Sequence, residues 1–167
     1  MVFFDLAERR YSVRAYKPDA VEDEKLQQVL EAGVLAPTAC NLQPFRLVVA
    51  RTREHLDALK KVYRAPFFTQ APVIIGIYAD LSTAWVRRDG KSYADVDAAI
   101  VMDHIILAAT ELGLGTCWIG AFDAQAARDF AGLGAGWEPV AFTPLGYPAS
   151  VRPEKRRKPL DDLVTYL

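Results

Sequence analysis

Residues 94–112 constrain this chain more than any other stretch. Ala98, Ala99, Ile100, Val101, Ile105, Ile106, Leu107, Ala108, Ala109 and Leu112 put apolar side chains almost all the way round one helix. A surface helix keeps a polar face, so a helix like this one lies at the centre of a fold or against a second subunit. Gly113 ends it. With 167 residues, 51% of them hydrophobic, the chain has enough apolar material for one domain, 1–167, built around such a helix.

Other elements follow from local period and punctuation. Helical spacing is present at 2–10 and at 19–35, where Glu22, Asp23 and Glu24 occupy the first turn and Pro37 stands beyond the end. It recurs at 53–63 and, behind an Asp123 cap, to about Ala131. Strands are expected at 45–50 (FRLVVA), 116–122 (TCWIGAF) and 140–148 (VAFTPLGYP), and at 73–79, whose unbroken apolar run predicts burial on both faces. The polar, turn-rich residues 81–93 read as a surface loop or a lid. Helices interspersed with strands, and an apolar tail at 163–167 with nothing in a small domain to cover it, predict an α+β fold in a symmetric homodimer.

Bulk charge narrows the function classes. Lys+Arg 20 against Asp+Glu 21 gives a net charge of -1, which excludes a general nucleic-acid surface or a polybasic membrane face. No apolar run approaches the roughly 20 residues that span a bilayer, and Asp5 and Glu8 interrupt any secretory h-region. Cys40 and Cys117 stand far apart and outside any C-x-x-C pair, so the expectation is a reducing cytoplasm, with no disulfide framework and no metal site.

The local charge is different. In RRYSVR, 9–14, residues Arg10, Ser12 and Arg14 alternate, and in an extended connector alternate side chains leave on one side. Two planar guanidinium groups and a hydroxyl donor suit a phosphate. A second basic block, EKRRKP at 154–159, is placed to close the same site. Two blander readings stay open: Arg9 and Arg10 capping a helix end with the tail block a solvated patch, or R-R-x-S as a kinase-substrate pattern, a match short enough to arise by chance. Asp97, His104 and Cys117 lack any local motif of a thiol-protease triad. Gly113 and Gly115 follow a helix and precede a strand, the reverse of a dinucleotide fingerprint.

Five motifs occur in order along nearly the whole chain: RRYSVRAY, APTACNLQPF (36–45), D-x-D-A-A at 95–99, ELGLGTCWIG (111–120) and K-x-R-K-P-L at 155–160. Together they resemble the short, single-domain members of the FMN-dependent nitroreductase family. That resemblance implies a central, mostly antiparallel sheet flanked by helices, and an intertwined homodimer whose C-terminal tail reaches the partner. FMN is implied at the interface, its phosphate on Arg10, Ser12 and Arg157 with Lys155 helping, and Arg14 nearer the ribityl chain and the N1/O2 edge. Pro37, Thr38, Ala39, Asn41 and Gln43 match the segment that the partner lays against the ring. Ile119 and Gly120 match the stretch whose backbone N–H faces N5.

The chain departs from the family pattern in two places. YRAPFFTQAP lacks the Asn and Lys that many larger relatives place before the central strand, and Phe45 stands where a Trp is usual. The implied activity is ping-pong hydride transfer from NAD(P)H through flavin N5 to a nitroaromatic, quinone or similar small acceptor, with no side chain assigned as a catalytic acid or base. The alternatives are a flavin carrier or sensor without turnover, and a phosphate-binding module without flavin.

Overall fold

The computed structural model describes residues 3–167, so Val2, expected to begin the first helix, lies outside the described residues. Its centre is β2 (Val73–Asp80), which alternates between two cores. Val73, Ile75 and Ile77 face α2 (Asp23–Val34) and α5 (Ala94–Glu111), meeting Val29, Ala98, Val101, Met102, Ile105 and Ala109. Ile74 and Tyr78 face the other way, towards α3 (Leu56–Val62), α4 (Pro66–Gln70) and α6 (Ala124–Ala131). There they meet Leu59, Val62, Phe68, Ala127 and Phe142. Each aliphatic side chain buried this way contributes about 1.5–3 kcal/mol. The Tyr78 hydroxyl satisfies itself by donating to the Ala127 carbonyl at 2.9 Å, and burial raises its pKa.

The sheet is antiparallel throughout, in the order β1-β2-β4-β3, with β1 at Phe45–Arg51, β3 at Gly115–Thr116 and β4 at Trp137–Gly146. The remaining helix, α1, is Phe3–Arg9. The expected α+β architecture and the doubly buried central strand are both present.

Several boundaries differ from expectation. The helix expected at 19–35 begins only at Asp23, because Glu22 is extended (φ -62°, ψ 141°). The one expected at 53–63 is broken at His55 into a 3₁₀ turn, Thr52–Glu54, and α3. α4 was not expected at all; Pro66 opens it, at the position where a missing N–H costs nothing. The strand expected at 116–122 pairs only through Thr116 and again at Ile119. Between them it lies opposite Pro144, which has no N–H to give to the Cys117 carbonyl, while the Cys117 N–H donates to the Thr143 hydroxyl at 3.1 Å.

The two ends of the sheet are built differently. At one end β1 begins opposite the finish of β2, with Phe45 paired to Ala79 and the Asp80 N–H on the Pro44 carbonyl at 2.9 Å. At the other end Val73 pairs with Leu145, Leu145 with Thr116, and Thr116 with Ser12. The seven steps of β2 between Val73 and Asp80 separate these ends by about 23 Å at roughly 3.3 Å per residue. The 18 residues of α5 make a helix of about 27 Å that runs between the same two ends.

Gly115 admits the Ser12 segment to the sheet edge: a Cβ built there would lie 2.7 Å from Val13 Cγ2, and Val13 is buried. Gly115→Ala is therefore expected to overpack Val13 and destabilise the protein by about 1–3 kcal/mol, read as a lower denaturation midpoint in urea.

Candidate functional site

Residues 10–14 form an irregular segment that meets the sheet edge at one bridge. The Val13 N–H donates to the Thr116 carbonyl at 2.8 Å, and Ser12 bridges Thr116. Val13 therefore points into the core, and its neighbours Ser12 and Arg14 point away from it. The tail comes back to the same place. Tyr11 donates to the Ser150 carbonyl at 2.7 Å, Arg152 Nη1 to the Glu8 carbonyl at 2.8 Å, and Lys155 Nζ to the Ala7 carbonyl. Those last two bonds satisfy carbonyls that the end of α1 leaves open, where cations also meet the negative end of the helix dipole. Capping of α1 thus falls to Arg152 and Lys155, while Arg10 lines the cavity.

The outcome is one cavity of about 240 Å³ that brings together Arg10, Ser12, Arg14, Lys155 and Arg157 from opposite ends of the chain. Arg152 and Arg156 also line it, giving five arginines and one lysine against a single carboxylate, Glu154. Lys155 registers the crowding. Desolvation lowers its pKa first, Arg10 lowers it further, Arg157 and Arg152 add to that, and Glu8 only partly opposes them. A cluster that penalises its own charge is complementary to an anion.

Cys117 is buried, and burial pushes its thiol pKa up while the nearby Arg14, Ser12 and Arg10 side chains oppose that shift. It is not part of a triad. His104 Nδ1 is engaged with the Ile100 carbonyl at 3.0 Å, and Asp97 is bonded elsewhere.

Pro37, Thr38, Ala39, Asn41 and Gln43 lie at the opposite end of the sheet, on an exposed to half-buried turn that enters β1. Cys40, Asn41 and Gln43 have φ of 52°, 54° and 52°. The turn is closed by the Asn41 N–H on the Thr38 carbonyl (3.0 Å), the Gln43 N–H on Thr38 Oγ1 (3.0 Å) and Gln43 Nε2 on Asn41 Oδ1 (3.0 Å). From outside the turn, Asp97 Oδ1 accepts the Ala39 N–H at 2.8 Å. Sequence reasoning gave Asp97 no role of its own; the available signals were its place in the D-x-D-A-A motif and a second acid, beside Asp95, in the first turn of a largely apolar helix.

Ile119 and Gly120 lie between the two ends. The Ile119 N–H is committed to the Phe142 carbonyl at 2.9 Å, and its side chain is in the core. Gly120 is exposed, and a Cβ built on it would approach only Trp118, at 4.0 Å. Of the two, only Gly120 offers a backbone N–H that a ligand can approach.

Residues 81–93 hold themselves in place as a turn. Val86 bridges Ser92, the Arg87 N–H donates to the Lys91 carbonyl, Arg87 grips Asp89 with two nitrogens, and Trp85 meets Tyr93 edge-on at 4.8 Å. A larger cavity of about 460 Å³, between Pro18, Arg51, Arg53, Leu56 and Pro72, includes none of the expected site residues.

The sequence model of the Nitroreductase family matches residues 7–63 and 57–147. This chain belongs to the nitroreductase family. A nitroreductase family protein of Clostridium difficile 630 shares its fold at a TM-score of 0.92 and 37% identity, over 99% of this chain and 98% of that one. A nitroreductase of Desulfovibrio desulfuricans, solved in complex with FMN, aligns at a TM-score of 0.86 and 29% identity, over 98% and 95%. An NADH dehydrogenase of Thermus thermophilus is 29% identical over 95% of this chain and 92% of its own. Among the described residues, no helix is long and apolar enough to cross a membrane.

In this member of the family the cation cluster predicts a pH dependence. An anion in the cavity favours protonated Lys155 and raises its pKa back from the lowered position, so binding takes up protons. Sulfate affinity, followed by thermal shift, should accordingly fall as pH rises through the interval between the lowered pKa of Lys155 and its ordinary value of 10.5. Lys155→Arg, which stays charged, should flatten that fall.

Proposed function

We propose that the protein is an FMN-dependent NAD(P)H oxidoreductase that works as a homodimer, with each cofactor held between two copies of the chain. The observation that carries this reading is the separation of the two half-sites. The cation cavity and the 37–43 turn stand at opposite ends of a strand about 23 Å long, whereas the five-carbon ribityl chain joining ring to phosphate reaches less than about 10 Å. One copy cannot lay both on one FMN; a second copy, related by a two-fold axis, supplies the missing half twice over. Exposed apolar side chains support that partner: Phe3 and Phe4 on α1, Val34 and Leu35 at the end of α2, and Leu160, Leu163, Tyr166 and Leu167 in the tail. The tail beyond Arg157 is then free to reach the partner.

The residues present suit FMN. Arg10, Ser12 and Arg157 offer charge-assisted donors to the phosphate, and Lys155 adds a cation whose lowered pKa the phosphate relieves. Arg14, exposed and without an ion pair among the described residues, is available to the N1/O2 edge, where its charge stabilises the electron-rich reduced ring. Gly120 presents its N–H towards N5, and Pro37, Thr38, Ala39, Asn41 and Gln43 of the partner copy form the surface on which the ring lies. When bound, FMN supplies a two-electron carrier that exchanges hydride at N5. The chain supplies binding, orientation and electrostatics, and no side chain is assigned a proton-transfer role. NAD(P)H and a nitroaromatic, quinone or similar acceptor take turns at the open ring face.

Protein purified without added cofactor should be yellow, and anaerobic mixing with NADH or NADPH should bleach it. A colourless protein that FMN cannot restore would leave a phosphate-binding module; a yellow one that neither reductant bleaches would leave a carrier. Arg10→Ala should weaken FMN retention by about 1.5–3 kcal/mol, the worth of a hydrogen bond to a charged group. The two-copy site adds a sharper expectation: Arg10→Ala and Gln43→Ala subunits, each weak in FMN as homodimers, should regain up to half the wild-type flavin when mixed and allowed to exchange. No recovery on mixing would place both residues in one subunit's site.

A further inference from the structure

Asp97 is the one charged side chain in the core among the described residues, 1% exposed. Removing a carboxylate from water is costly unless its oxygens are paired. Here the compensation is incomplete. The positive end of α5 lies within a turn, and Oδ1 takes the Ala39 N–H at 2.8 Å, but Oδ2 is buried with no hydrogen-bond partner among the described residues. An apolar side chain would fill the same space without that cost, so stability alone does not account for an acid at this position.

What Asp97 holds does account for it. Three of the four residues from Cys40 to Gln43 lie in the left-handed region although none is glycine. Such conformations persist only where the surroundings over-determine them, and they gather at functional sites. The hydrogen bonds inside the turn set its shape but not its place on the molecule. Its exit is fixed by the Pro44 carbonyl on the Asp80 N–H, and its entry by Asp97 on the Ala39 N–H. The entry bond reaches across 58 residues of sequence from the central helix.

We infer that Asp97 is a positioning residue for the flavin ring: its buried carboxylate holds the Thr38–Gln43 turn, whose shape its own hydrogen bonds set, in the place that the ring of the partner's cofactor lies against. This rests on the two-copy FMN site proposed above and assigns within it what orients the ring rather than what grips the phosphate.

Riboflavin, which has the ring but no phosphate, separates the two. Dissociation constants for FMN and riboflavin are measured for wild type, Asp97→Ala, Asp97→Asn and Asn41→Gly, with the visible circular dichroism of the bound flavin. Asp97→Ala should weaken both ligands by the same factor, roughly tenfold or more, and leave the riboflavin-to-FMN ratio unchanged. Asp97→Asn keeps an acceptor for the Ala39 N–H and should stay within about threefold of wild type. Asn41→Gly relaxes the turn without touching the core, so it should fold even if Asp97→Ala does not, and it too should weaken both ligands equally and alter the dichroism.

Riboflavin bound as in wild type by Asn41→Gly, and by Asp97→Ala where it folds, would overturn the inference. So would a collapse of the ratio, which would move the effect to the phosphate end. A wild-type protein that binds neither flavin would instead remove the FMN reading itself, a result distinct from both.

Discussion

Burial of β2 on both faces is the constraint on which the rest of this molecule depends. A strand with no solvent face must be paired on both edges and covered on both sides, and the alternation of Val73, Ile75 and Ile77 against Ile74 and Tyr78 assigns one helical layer to each side. Once α5 covers one face along the length of β2, its two ends mark the two ends of the sheet. The Arg10 segment attaches at one end and the 37–43 turn at the other. The length of one strand thus keeps the cation cavity and the 37–43 turn apart within one copy of the chain, and the proposed two-copy site rests on that separation.

The cation cavity is electrostatically unfavourable until something anionic enters it, and the tail makes it so. Arg152 and Lys155 approach because α1 ends in open carbonyls, and the same approach brings Arg156 and Arg157 beside Arg10 and Arg14. One set of hydrogen bonds therefore does two jobs, terminating a helix and gathering the cations of one cavity. At the opposite end the unfavourable elements are of another kind, three left-handed residues and a carboxylate oxygen without a hydrogen-bond partner among the described residues. Both ends hold local costs that the well-packed centre sustains.

How far the sequence discloses this varies with how local the cause is. The period-2 and period-3.6 patterns of β2 and α5, the Asp123 cap whose carboxylate accepts the Ala126 N–H, and the alternation of Arg10, Ser12 and Arg14 all depend on neighbours within a few residues. α4 escaped notice because five residues, Pro66–Gln70, are too few to show a period. The break after Thr116 was invisible within TCWIGAF, since its cause, the missing N–H of Pro144, lies on a different strand. The commitment of the Ile119 N–H to Phe142, which leaves Gly120 as the accessible donor, is hidden in the same way.

By itself the sequence determined most of the helical and extended segments, that one helix and one strand must be central, and that three donors alternate on one side of a connector, because each of these follows from torsional preference and side-chain period along a few consecutive residues. Only the tertiary structure decided that the two ends of the chain meet at one cavity, that the 37–43 turn stands a strand's length away from it, and that Asp97 holds that turn. The physical reason is that such pairings join groups between 58 and 148 residues apart, from Ala39 with Asp97 to Ala7 with Lys155, and no local pattern encodes a partner at that range.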